Sequence, residues 1–131
     1  MQPIVTQRRN CDCGIAAMAC MFALSYEDVF VAAVRTAPKW KRGLLIREMV
    51  AIARSLGRKL ELVHWRRVEL EEHIGILGVN WNKPKAHDGS MGHWVVLRQG
   101  TIIEPQMPSV WDADEYLKVE NGRVGSLLVE M

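Results

Sequence analysis

The sequence lacks most of the features that would take it out of the class of ordinary globular chains. Its longest nearly unbroken apolar run, Ile15 to Leu24, falls well short of the roughly 20 residues a membrane-spanning helix needs. Internal repeats, low-complexity tracts and linker-like segments are absent. Cysteine is scarce: three in 131 residues, an odd count that argues for reduced thiols rather than a disulfide framework. No C-x-x-C redox pair occurs. A secretory signal is not expected: Arg8 and Arg9 precede the apolar run and Ala23-Leu24-Ser25 resembles a cleavage site, but Asn10 and Asp12 stand where the apolar core should begin. A cytoplasmic location is the expectation.

What is present is globular composition, 49% apolar and 24% charged, enough in 131 residues to build one domain with a real core. A single domain over residues 1–131 is expected. The net charge of +2 conceals an asymmetry. Residues 1–67 carry 12 Lys/Arg against 5 Asp/Glu, and residues 68–131 carry 5 against 10. The basic half would suit an acidic partner. However, Arg35, Lys39, Lys41, Arg42, Arg47, Arg54 and Arg58 are spread out as solvated faces, with no nucleic-acid motif beside them. Neither a nucleic-acid nor a membrane partner is expected.

The pattern places helices first and strands second. Asp12 is positioned to cap a helix whose next residues, Cys13 to Phe22, are small or apolar on almost every face, the mark of a buried central helix. "SYEDV" opens a second helix with Ser25 as cap. "LLIREMVAIARSL" (44–56) is amphipathic, with Gly57 as its stop. Strands are expected in "KLELVHW", "IGILGVNW", "HWVVLRQ" and "TIIEP", the last two joined at Gln99-Gly100, and in a closing "GSLLVEM" after a short helix in "DADEYL". The fold class is α+β, with N-terminal helices packed on a mostly antiparallel sheet. Residues 81–91, "WNKPKAHDGSM", read as the one long loop, of the kind that carries function.

The chemistry centres on "QRRNCDCGIAA". A thiolate at Cys13 would face the unpaired amides and positive dipole end of the helix start, which activates a cysteine as a nucleophile. Cys11 precedes the cap and gains less, and Cys20 lies two turns deep among Met and Ala as a plain buried thiol. The thiol needs a base and a group that aims the base. His93, after Gly92 at the start of a strand, is best placed, while position alone leaves His87 open. His73 follows a solvated Glu71-Glu72 patch, and His64 shares a strand face with Leu60 and Leu62, so it reads as semi-buried. Across the Gln99-Gly100 hairpin, Glu104 falls opposite residues 93–95 and is the aiming group. The Cys13 amide and the Gln7 side chain are candidate oxyanion donors. A metal site is poorly supported: zinc favours C-x₂₋₄-C pairs, and here the spacing is C-x-C with a third thiol two turns away. No metal and no cofactor are expected.

The ordered set of Gln7, "DCGIAAM", "RGLLIREMVAIARSLGRKL", "GHWVVL" and "IIEP" resembles the papain-like cysteine peptidases, and among them the C39 group: bacteriocin-processing domains attached to peptide-exporting ABC transporters, and their stand-alone relatives. The resemblance runs from about Gln7 to Pro105. It implies Cys13 as nucleophile, His93 as general base, Gln7 as oxyanion donor and a peptide or protein substrate, with Gly-rich or leader-type cleavage sites. It implies that position 104 orients His93, but Glu stands where the family has Asp, so its strand should sit slightly further back. No transporter segment follows, which favours a stand-alone form. Two other functions use the same residues: an amidase or acyltransferase working through the same thiol, and a degenerate peptide-binding domain without catalysis. Trp81, Trp94 and Trp111 would suit peptide binding near the cleft; the alternative is that they pack in the core.

Overall fold

The structure is a computed structural model, and it describes residues 12–82, 92–105 and 109–131. Helix α1 (Cys13–Phe22) is buried along its whole length, as a run of Ala, Met and Ile requires. Its C-terminus closes on Ala23 in the left-handed conformation, whose amide bonds back to the last turn. Helix α2 (Tyr26–Thr36) starts where Ser25 accepts from the Asp28 amide, the expected cap. Helix α3 (Ile46–Ser55) turns Met49, Ile52 and Ala53 inward, and Glu48 reaches back to the Leu45 amide at 2.9 Å. Gly57 takes a φ of 77° just beyond the helix, a conformation glycine adopts without strain.

Six strands follow: β1 (Leu60–Val63), β2 (Ile74–Trp81), β3 (Gly92–Arg98), β4 (Thr101–Glu104), β5 (Ser109–Asp112) and β6 (Gly122–Glu130). They form one sheet in the order β1-β6-β2-β3-β4-β5, every pair antiparallel. The last strand therefore inserts between the first two. Short helix α4 (Ala113–Val119), capped by Asp112 accepting from the Glu115 amide, leads into it.

Strand alternation divides the core in two. On one face, Ile76, Val96, Ile103 and Leu128 pack against α1, α2 and α3. On the other, Leu77, Val95, Leu97, Ile102 and Leu127 pack against Ala113 and Tyr116 of α4. The α+β expectation holds. Among the described residues no helix is long and apolar enough to cross a membrane.

Several local expectations are corrected. Trp81, shared by the expected strand "IGILGVNW" and the expected loop 81–91, belongs to the strand: it ends β2 and is buried. Trp94 and Trp111 are half-buried, so packing accounts for much of each indole. His64 lies past the end of β1 and is exposed, its Nδ1 accepting from the Arg66 amide. Strand β5 was not expected at all. Gln7, Cys11 and His87 lie outside the described residues.

Candidate active site

Cys13 is the first residue of α1, and the helix packs its N-terminal end against β3. Small residues make this approach possible. A Cβ on Gly14 would stand 3.1 Å from Leu44 Cδ1 and 3.3 Å from Trp94 Cδ1, tighter than ordinary contact. Trp94 in turn donates its indole N–H to the Leu44 carbonyl at 3.1 Å, and its backbone N–H points at Cys13 Sγ at 3.4 Å. Leu44 and Trp94 thus wall the helix start directly beside the thiol.

Asp12 occupies the N-cap position but does not cap with its side chain. Its φ and ψ of −101° and 18° depart from the extended conformation usual for a cap. The carboxylate is fully buried and Oδ2 accepts from the Tyr26 hydroxyl of α2 at 2.5 Å. The expected helix cap is instead a tie between α1 and α2. Only its backbone serves the helix, as the Asp12 carbonyl accepts from the Ala16 amide at 3.0 Å.

His93 and Glu104 come together as the hairpin register foretells. The β3–β4 pairing runs Arg98–Thr101, Leu97–Ile102, Val96–Ile103. One pair further sets Glu104 beside Val95, diagonal to His93 on the same face of the sheet. His93 Nε2 and Glu104 Oε1 are 2.6 Å apart, and both residues are only 6% exposed. The glutamate therefore reaches the imidazole despite its extra methylene. With Nε2 committed to Glu104, Nδ1 is the nitrogen left for the hydrogen bond His93 shares with Cys13. Trp81 lies over the imidazole, nearly parallel, with ring centroids 5.4 Å apart.

Burial disfavours charge on His93, but the hydrogen bonds and negative charges of Cys13 and Glu104 outweigh it and push its pKa up to about 10. The imidazole thus holds its proton at neutral pH. A thiol hydrogen-bonded to an imidazole, itself oriented by a carboxylate, is the arrangement of nucleophilic thiol chemistry.

A fourth side chain was missed by the sequence reading. Tyr116 of α4 donates its hydroxyl to Glu104 Oε2, the oxygen His93 does not use. Its ring is fully enclosed, with Trp111 edge-on at 6.0 Å. Burial and the Glu104 charge both raise the phenol well above its ordinary range. Nothing in "DADEYL" marks this tyrosine; only the return of α4 onto the second sheet face brings it to Glu104. Among the described residues no cluster of His, Cys, Asp or Glu has the grouping of a metal site.

Comparison with solved structures places this architecture. A double glycine motif protease from an AMS/PCAT transporter, solved in complex with its leader peptide, superposes with a TM-score of 0.65 at 18% identity over 99% of this chain and 91% of that one. The fold is that of the C39 peptidases. The peptidase domain of Streptococcus ComA, a bifunctional ABC transporter involved in quorum sensing, gives 0.65 at 16% identity over 99% and 98% of the two chains. The Streptococcus mutans ComA peptidase domain gives 0.53 at 14% identity over 96% and 98%. No family model matches the sequence, and neither does any curated protein.

Proposed function

We propose that this chain is a cysteine peptidase in which Cys13 attacks the scissile carbonyl and His93, oriented by Glu104, manages the proton. The observation that carries the reading is the buried line of groups from Cys13 through His93 to Glu104, with 2.6 Å between imidazole and carboxylate. The C39-type fold, shared with peptidase domains over nearly the whole chain, supports it.

The chemistry follows from the protonation state of the pair. The Cys13 sulfur adds to the carbonyl carbon, and the carbonyl oxygen becomes an oxyanion. The amide of Cys13, a helix-start N–H with no intrahelical partner, faces that charge, and Gln7 is the proposed second donor. The His93 imidazolium then gives its proton to the leaving amine, the C–N bond breaks, and a thioester remains on Cys13. Water attacks the thioester with His93 now taking the water proton, releasing the acid and the thiol.

The substrate is a peptide whose residues next to the cleaved bond are small, of the Gly-rich or leader type. Leu44 and Trp94 stand against Gly14, next to Cys13, so closely that a methyl group there would displace them, and in this reading the groove beside the thiol is narrow and admits only small side chains. The first of the solved relatives is a double glycine motif protease bound to a leader peptide, consistent with this choice.

The test is cleavage of a peptide library varied at the two positions before the bond, comparing the wild type with Cys13→Ala. Cleavage after paired small residues, lost in Cys13→Ala by at least about a thousandfold, supports the reading. Cleavage that survives Cys13→Ala, or none by a folded wild type whose Cys13 reacts with iodoacetamide no faster than Cys20, overturns it.

A further inference from the structure

A glutamate in the orienting position has one more rotatable bond than an aspartate, and so more ways to point away from the imidazole. Something must hold it. Two oxygens of one buried carboxylate are divided between two partners on different elements: Oε1 to His93 on β3, and Oε2 to Tyr116 on α4. We infer that Tyr116 is the positioning residue that lets a glutamate do the orienting work, by fixing Oε2 so that Oε1 meets His93 Nε2. The inference rests on the peptidase reading for its consequence, but its geometry does not.

The surroundings favour alignment as the hydroxyl's role. Glu104 is buried at the end of β4, opposite Ser109 of β5, so solvent does not hold its carboxylate. Among the described residues, the charged and titratable groups that act on this cluster include Cys13 from α1, His93 from β3, and Tyr116 and Glu120 from α4 and its C-terminal end. Glu120 acts on Tyr116 and Cys13 on His93, but only the tyrosine hydroxyl among these also donates to Glu104 from the side away from the imidazole. A hydrogen bond to an ionised group is about twice as strong as a neutral one, enough to select one rotamer of the glutamate. α4 thereby carries orientation to the thiol from the sheet face opposite α1.

The experiment reads His93 directly, by imidazole NMR titration of the full chain, and needs no substrate. In the wild type the midpoint should lie near 10. Tyr116→Phe keeps the ring and removes only the hydroxyl. The midpoint should fall by about one pH unit as the carboxylate loses its alignment. With a cleavable peptide, kcat should fall about tenfold with KM unchanged. In a Glu104→Gln background the same change should add nothing further, because there is no charge left to align. An unmoved midpoint, a rise (the hydroxyl then only draws charge from Glu104), or full additivity with Glu104→Gln overturns the inference. If Tyr116→Phe does not fold, Glu104→Asp replaces it: a carboxylate one methylene shorter cannot meet both partners, so the midpoint falls, and an unmoved midpoint overturns the inference. A chain that cleaves nothing, yet shows the fall in Tyr116→Phe, loses the peptidase reading and keeps this one.

Discussion

Two buried carboxylates flank the thiol and imidazole of this protein, and each is held by a tyrosine. Asp12, next to Cys13, accepts from Tyr26 of α2; Glu104, next to His93, accepts from Tyr116 of α4. They differ in what they join: Glu104 also meets the His93 imidazole through Oε1, whereas the bond on Asp12 Oδ2 ties two helices together. One pair lies beside the Cys13 backbone, and the other lies against the His93 imidazole. Burial and a tyrosine partner are common to both carboxylates; the imidazole beside Glu104 is what sets it apart.

That contrast can be broken by removing charge from each side in turn. Glu104→Gln should reduce kcat by about tenfold or more, since the amide oxygen can still accept from His93 but the charge that favours the imidazolium is gone. Asp12→Asn should change kcat by less than about threefold in the fraction that folds. Equal losses in steady-state cleavage assays would erase the distinction. In chemical denaturation the order reverses. Asp12→Asn or Tyr26→Phe should cost about 1–3 kcal/mol, because the first weakens a buried charge-assisted hydrogen bond and the second removes its donor.

Smaller effects sharpen the picture. Gly14→Ala should cost about 1 kcal/mol and slow alkylation of Cys13 several-fold, as Leu44 and Trp94 are pushed by the added methyl. Melting temperatures against pH provide the finest comparison. The folded protein holds the His93 proton up to about 10, above the ordinary 6.5. Its contribution to stability is complete below about 6.5 and is lost as pH rises through about 10. The melting difference between wild type and His93→Asn should therefore shrink across that interval. A difference that grows with pH would contradict the raised proton affinity.

Much of this was legible in the sequence because it is local. The helix start at Cys13, the Ser25 cap, the Gln99-Gly100 turn with positive φ at both residues, and the β3–β4 register that joins His93 to Glu104 all follow from short-range patterns. The rest depends on distant packing. Asp12 looks like a side-chain cap until α2 brings Tyr26 against it. Strand β5, "SVWD", alternates in burial but is only four residues long and has no fully buried position, so its residue types do not mark it as a strand. Tyr116 belongs to Glu104 only through the fold of the second sheet face, and no spacing encodes that. His64 follows the period of β1 but the strand stops one residue earlier, at Val63.

The insertion of β6 between β1 and β2 has a consequence for how this molecule comes into being. Until residues 122–130 are free to pair, β1 has no neighbour in the sheet and β2 has only β3. Arg58, which reaches the Phe22 carbonyl at the end of α1, also has to wait for its ion-pair partner Glu130. Such long-range pairing is slow to form. A ribosome-bound chain would expose Ile76, Leu77 and the apolar underside of α1 while the thiol end is already synthesised. The centre of the sheet thus waits on the last residues described, long after the Cys13 end of the chain has been made.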